Sequence, residues 1–531
     1  MTAQLTIDHL LWRMQHVHPE SEVVTAAGSG SDYMADKHSF ADIAARVQAL
    51  AQGLRDKIGL RSGDVVTVFG WNDRQHFELL LAVPIAGGII NSINLRLGTA
   101  NMALLASNPK PKAIVLSDDI IDHPLIGQEV LDAADTAHSD GVHIITVGAP
   151  RSERFSQAIN YSELVSDDEP RRWEPLVTDE SAPAYLFHTS GTTGAPKTYE
   201  VTHRAAMLHC LSQASVEATG LSSQDRVLPL APFFHVNGWG LPLTCALTGA
   251  SLVLAGGDLK PARLAEVMNA ERVTVAAGVP TIWYSVCAAI NNGDAIAPGD
   301  LREVLTGGDA LPEGVWRSLK ATLGVRVATA WGMTETMACS TYERDRPYER
   351  AGKPIPLVEL QLQDDQGPAD DAIPGRLQIR GPFIVGGSKG HEGWFTTGDI
   401  ATIDTDGVLT LRDREKDLIK SGGEWIASAE LEHHLSAHPA VASAAVVPVS
   451  DPRWIQRPRA YVVLAETNTA TADDGLYTML TDHLAAKFPR WWLPDQIEVV
   501  EALPMTTVGK VNKRALRQMA ETTEEKGTTL V

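Results

Sequence analysis

Short apolar runs rich in β-branched residues, at 64–69, 113–116, 144–147 and 251–254, recur between segments of helical period such as 39–54 and 261–270. A run of that length with no polar alternation reads as a strand buried on both faces, the condition of a parallel sheet covered by helices. The expected fold class is therefore α/β. After about residue 355 the pattern changes. Residues 358–362 and 375–380 alternate apolar with polar, as half-exposed antiparallel strands do, and 404–412 reads as a hairpin around Asp406-Gly407. The charged stretch 412–417 reads as a linker, with a helix at 427–437, strands at 442–449 and 459–464, and a helix at 476–487 beyond it. At 531 residues the chain exceeds what one core supports. The expected division is a large N-terminal domain over 1–412 and a smaller α+β domain over 413–531.

A formal charge of −21 opposes non-specific binding to nucleic acid or to an acidic membrane surface, so an anionic ligand must be met locally. Residues 1–16 lack the basic start, apolar middle and small-residue cleavage site of an export signal. The longest nearly apolar run, 79–90, contains Pro84, Gly87 and Gly88 and is too short to cross a bilayer. A cytoplasmic protein with no membrane span is expected. Cys210, Cys245, Cys287 and Cys339 lie far apart, which predicts reduced, buried thiols.

The chemistry concentrates in a few places. Residues 188–197 read His-Thr-Ser-Gly-Thr-Thr-Gly-Ala-Pro-Lys. Gly191 and Gly194 let backbone N–H groups face a polyanion, Thr189, Ser190, Thr192 and Thr193 add hydroxyls, and Lys197 adds a point charge, which together suit phosphates. It is not the common P-loop, because Pro196 precedes Lys197 and no Gly does. Residues 330–335 combine Trp331 for stacking on a purine, Gly332, Met333, a hydroxyl at Thr334 and a carboxylate at Glu335 able to hold Mg²⁺; a strand end with a core Trp fits the same residues. Asp399, just beyond a turn and with Arg414 downstream, could accept two ribose hydroxyls or cap the turn. Lys510 follows Gly509 in a loop-like stretch.

The order and spacing of these pieces, with residues 413–417 reading Asp-Arg-Glu-Lys-Asp, resemble the adenylate-forming superfamily of acyl-CoA synthetases, peptide-synthetase adenylation domains and beetle luciferases. Residues 232–240, 276–281, 420–426 and 491–494 are most similar to its medium-chain acyl-CoA and methylmercaptopropionate-CoA ligase branch. The resemblance implies an acid–thiol ligase, an AMP-forming acyl-CoA synthetase that uses ATP, Mg²⁺ and coenzyme A. Its partner is a small carboxylic acid, a short- or medium-chain monocarboxylate such as a fatty acid or methylmercaptopropionate. A carrier-protein thiol as acyl acceptor and an aryl or alicyclic acid as substrate are the alternatives, and a homodimer is compatible with the family. It implies mixed sheets flanked by helices plus a small β-barrel-like part in the large domain, and mobility of the small one.

By similarity Lys510, Glu335, Thr334 and His235 are the catalytic residues. Thr189, Ser190, Gly191, Thr192, Thr193, Gly194 and Lys197 hold the phosphates, and Glu335 with Thr193 holds Mg²⁺. Gly307, Gly308, Asp309 and Ala310 with Trp331 enclose the adenine, Thr329 and Gly332 are further cofactor-binding residues, Asp399 and Arg414 grip the ribose, and Gly423 lines the CoA channel. His235, Val236, Trp239, Gly307 and Met333 form the acyl pocket, and Lys416 is the hinge. Two departures from the family stand out: the segment 384–393 is short and lacks aromatic residues, and Thr198 replaces the usual Gly after Lys197. Glu430, His434 and His438 recur every four residues as zinc ligands do, but read better as the solvated side of a helix.

Overall fold

The computed structural model describes residues 4–97, 99–121, 127–148, 155, 157–165, 177, 179–189, 197–345, 350–364, 367–368, 374–385, 393–422, 424–465, 474–505 and 511–528. Among them the strands form four sheets. One, of seven strands, runs in the order Ile159–Asn160, His143–Val147, Ala113–Ser117, Val65–Phe69, Ile89–Ser92, Pro183–Thr189, Lys197–Thr202. All its pairings are parallel except the last. Its apolar runs are buried on both faces, and successive side chains go to different cores: Ala113 and Val115 join the main core, Ile114 and Leu116 a satellite core.

The second sheet has nine strands: Lys353–Pro354, Thr341–Arg344, Arg326–Trp331, Glu303–Gly307, Val275–Gly278, Arg226–Pro229, Ser251–Leu254, Glu22–Ala27 and Met34–Ser39. Its centre is parallel and its two edges antiparallel. The main core draws on both large sheets, with Val66 and Tyr185 from one and Val227, Ala277 and Leu305 from the other. Helix Phe40–Ile58 feeds that core through Ile43, Val47, Leu50 and Leu54. Ser39 and Asp42 form a capping box at its start, and Gly59 at φ 65° ends it. The run 79–90 is shared between helix Arg74–Ile85 and strand Ile89–Ser92.

The alternating segments form a five-stranded antiparallel sheet in the order Gly367–Pro368, Glu359–Asp364, Gly375–Arg380, Phe395–Ile403, Leu409–Arg414. Its last strand contradicts the expectation of a linker beginning at 412, because Asp413 and Arg414 still pair with Ile400 and Asp399. Arg414 is answered across the ladder by Asp399 at 2.8 Å, and the Asp413 carboxylate accepts from Ser428 Oγ at 2.8 Å and Ala429 N at 3.3 Å at the start of the next helix. The fourth sheet joins Glu424–Ile426, Ile419–Ser421, Ile455–Leu464, Val441–Asp451 and Gln496–Val499. Helices Ser428–Ser436 and Asp474–Ala485 cover it through Leu431, Leu435, Leu480 and Leu484. The predicted solvated side of the first of these helices is a correction: His434 is half-buried, stacked on His483 at 4.2 Å, and His438 meets His483 edge-on at 5.0 Å. Glu430 pairs instead with Arg412 at 3.5 Å.

All four cysteines are free and buried. Among the described residues no helix is long and apolar enough to cross a membrane.

Candidate active site

Strands Pro183–Thr189 and Lys197–Thr202 are antiparallel neighbours, and Thr189 opposite Lys197 is their last described pair. Ser190, Gly191, Thr192, Thr193 and Gly194 lie outside the described residues. Alternation along the ladder puts Thr189, Lys197 and Tyr199 on one face and His188 and Thr198 on the other. Tyr199 had no signal in the sequence. Its hydroxyl reaches the Glu335 carboxylate and the Thr189 hydroxyl, and burial followed by the Glu335 partnership pushes it up to about 12. Two residues predicted for phosphates and metal, from different sheets, are thus brought together by a third.

Glu335 is 9% exposed and sits in the single 3₁₀ turn Thr334–Thr336 that follows strand Arg326–Trp331. The turn is closed by Thr336 Oγ1 accepting from Met333 N at 3.0 Å, and the Glu335 carbonyl accepts from Val385 N at 2.9 Å. Thr334 and Met333 are half-buried. A Cβ on Gly332 would lie 1.1 Å from the Ala338 carbonyl oxygen, so the tight return of the chain past Glu335 requires glycine. Trp331 is 8% exposed and packs into the main core. Thr329 spends its hydroxyl proton on the Arg350 carbonyl at 2.9 Å.

Of the acyl-pocket candidates, Trp239 and Gly307 meet at the strand ends, while Val236 is buried in the main core. After strand Arg226–Pro229 the chain makes a left-handed turn: Val236 and Asn237 at φ 46°, Gly238 and Trp239 at 61°, Gly240 at 74°. Three of these are not glycine, and such backbone costs about 1–3 kcal/mol per residue. Neighbours hold it there. The buried Asn72 donates to the carbonyls of Pro229 and Ala231 and accepts from Phe233 N, and Gln213 Nε2 donates to Trp239 O at 2.9 Å. The result aims the Trp239 ring over Gly307 and Gly308, 3.4 Å from where a Cβ of Gly308 would stand, and Gly308 is itself at φ +79°. His235, half-buried, lies 4.9 Å from the Phe234 ring. Asp309 and Ala310 are exposed, the Asp309 carboxylate accepting from Ala310 N.

Asp399 is 4% exposed, and Arg414 Nε donates to its Oδ1 at 2.8 Å across the ladder that pairs them. Beyond it Asp417 N and Leu418 N donate to the Arg414 carbonyl, a turn in which Lys416 is exposed. Gly423 and Lys510 lie outside the described residues. What flanks them is pinned: Gly422 N donates to Trp454 O, and Met505 bridges Val511 where the 506–510 segment leaves and returns. Lys513 Nζ, close behind, pairs with Glu432 at 2.7 Å and donates to Ser428 at 2.8 Å, while burial pushes Glu432 up to about 7. Among the described residues no group of three His, Cys, Asp or Glu could hold a metal.

Residues 12–388 match the AMP-binding enzyme family, and 430–510 match the AMP-binding enzyme C-terminal domain. The chain belongs to the AMP-binding enzyme family. It is 35% identical to a 3-methylmercaptopropionyl-CoA ligase of Ruegeria lacuscaerulensis over 97% of either chain. It is 33% identical to a medium-chain-fatty-acid–CoA ligase of Ectopseudomonas oleovorans over 98% of its own length and 96% of the relative's. Its fold overlays that of the anthranilate CoA ligase AuaEII, solved with anthranoyl-AMP, at a TM-score of 0.84 over 98% of each chain, with 22% identity.

Proposed function

We propose that this AMP-binding enzyme is an ATP-dependent carboxylate–CoA ligase that forms an acyl-adenylate and then an acyl-CoA thioester. The observation that carries the reading is the packing of the turn that carries Glu335 against strand Pro183–Thr189 at the root of the phosphate loop, where Thr189, Lys197 and Tyr199 share one face of the ladder. Full-length similarity to two CoA ligases supports it.

In the first half-reaction a carboxylate attacks the α-phosphorus of ATP, two negative centres that need positioning and neutralisation. Lys510 bridges the acid and the α-phosphate, and Thr189, Ser190, Thr192 and Lys197 steady the departing pyrophosphate. The oxygen donors around Glu335 fit a hard cation. Mg²⁺, held by Glu335 with Thr193, would neutralise phosphate charge. Asp399, with Arg414 orienting it, takes the ribose hydroxyls, and the loop at Gly307 to Ala310 encloses the base. In the second half-reaction the part of the chain beyond Lys416 turns about that residue, withdraws Lys510 and brings Gly423 to the path of the CoA thiol. His235, Val236, Trp239, Gly307 and Met333 receive the acyl chain. Trp239, standing over Gly307, shortens that pocket, which favours a short- or medium-chain monocarboxylic acid. A cytoplasmic location suits these substrates.

The test is AMP production with ATP and CoA across short- to medium-chain fatty acids, methylmercaptopropionate and benzoates. The expected result is CoA-dependent AMP release with a short- or medium-chain acid. No turnover with any acid, or AMP release that needs a carrier protein and ignores CoA, would contradict the assignment.

A further inference from the structure

We propose that His188 and Thr198 are positioning residues that lock the register of the two strands carrying the phosphate loop, and so decide on which face of the sheet Lys197 meets the triphosphate. The inference rests on reading residues 188–197 as that loop.

His188 and Thr198 are directly opposed in the ladder, one pair behind Thr189 and Lys197. Thr198 Oγ1 lies 3.0 Å from His188 Nδ1, and His188 Nε2 lies 2.7 Å from Asn91 Oδ1. Asn91 is fully buried, and its Nδ2 donates to the Leu105 carbonyl at 3.0 Å, which turns its oxygen toward the ring. One tautomer satisfies every contact: Nε2–H donates to Asn91, and Nδ1 accepts from the Thr198 hydroxyl. Burial lowers His188 to about 4, so the ring is neutral and keeps that tautomer. A chain of hydrogen bonds therefore runs from Leu105 through Asn91 and His188 to Thr198, anchoring the loop's outgoing strand to the sheet interior.

The anchor matters because Lys197–Thr202 is an edge strand with one neighbour. A strand polar on both faces, as Lys197 to Glu200 make this one, has its register weakly specified, and a slip of one residue turns every side chain to the opposite face. Lys197 and Tyr199 would leave the side of Thr189 and Glu335. Among the cross-strand pairs from Leu186–Glu200 to Thr189–Lys197, the His188–Thr198 pair is joined by a side-chain hydrogen bond. Both residues face away from Glu335, so they act through the loop.

The experiment compares the full-length protein with Thr198→Val, Thr198→Ser and His188→Phe. It reads calorimetric affinity for ATP in the presence of Mg²⁺, KM for ATP and for the acid, kcat, and the thermal midpoint. Losing one hydrogen bond predicts about a five- to tenfold weaker ATP affinity and a matching rise in KM for ATP in Thr198→Val and His188→Phe. KM for the acid should not move, the midpoint should shift by no more than a few degrees, and Thr198→Ser should bind ATP within about twofold of the native protein. ATP affinity in Thr198→Val equal to the native value, or in Thr198→Ser as weak as in Thr198→Val, overturns the proposal. A native protein that does not bind ATP refutes the reading of the loop itself, and the proposal with it. Native binding leaves that reading standing whatever the variants do.

Discussion

At Gly332 there is no room for a methyl group, since its place lies 1.1 Å from the Ala338 carbonyl oxygen. Because the obstacle is backbone, relief requires moving the turn that carries Glu335. Gly332→Ala is expected to cost about 4 kcal/mol or more and to collapse the yield of folded protein or its thermal midpoint; a variant that melts like the native protein would contradict the geometry. Trp239 poses the opposite case. Its ring fills space above Gly307, so Trp239→Ala should lower kcat/KM for short acids about tenfold and raise the relative rate with longer ones, read from a chain-length series. An unchanged chain-length profile would remove Trp239 from the pocket. Individual site residues were legible in the sequence to the extent that spacing reports them. Glu335 stood out because a hydroxyl, a glycine and an aromatic surround it, and Asp399 because Arg414 follows it. Tyr199 did not, since its meeting with Glu335 crosses from one sheet to another and leaves no periodic trace.

Among the elements, the left-handed turn at 236–240 best shows how a local rule is overridden. Asn237 tolerates a left-handed φ, but Val236 and Trp239 do not choose one near 50–60° unaided, so their conformation must be imposed by what surrounds it. Asn72, 5% exposed, supplies three of the hydrogen bonds that shape the approach to the turn. Asn72→Ala would strand two carbonyls and an N–H, and is expected to cost about 2–3 kcal/mol and to lower the thermal midpoint, with KM for the acid rising as His235 and Trp239 drift. Native stability and native KM in that variant would contradict the dependence. Strands and helices themselves were largely readable, because 65–69 and 113–117 are buried throughout and 40–58 keeps one apolar stripe. Two failures have physical causes. Period alone cannot tell that a second helix, Asp474–Ala485, covers the flank of His434, nor that Arg414 is answered by Asp399 across a ladder and Asp413 by Ser428 and Ala429 of the next helix.

For the molecule as a whole, pH dependence follows from the buried imidazoles. Burial lowers His76, His188, His203 and His209 to about 4 from a free value near 6.5. Their folded forms resist the proton that the unfolded chain takes up, so the stability they contribute is complete above about pH 6.5 and is lost as pH falls toward 4. Asp73 and Glu432, raised to about 7 by burial, work in the other direction across the same window but are fewer. The thermal midpoint should therefore decline from about pH 6.5 to 5, and a flat profile would contradict the sign. Lys510 follows Lys416 in the sequence and the triphosphate loop precedes it, while the Met505–Val511 bridge brackets residues 506–510. If that amine serves only the first half-reaction, Lys510→Ala measured in both half-reactions separates the possibilities. The expected result is loss of acid-dependent ATP–pyrophosphate exchange by about a hundredfold or more, with thioester formation from supplied acyl-AMP and CoA near the native rate. Equal loss of both steps, or retention of exchange, would contradict the account.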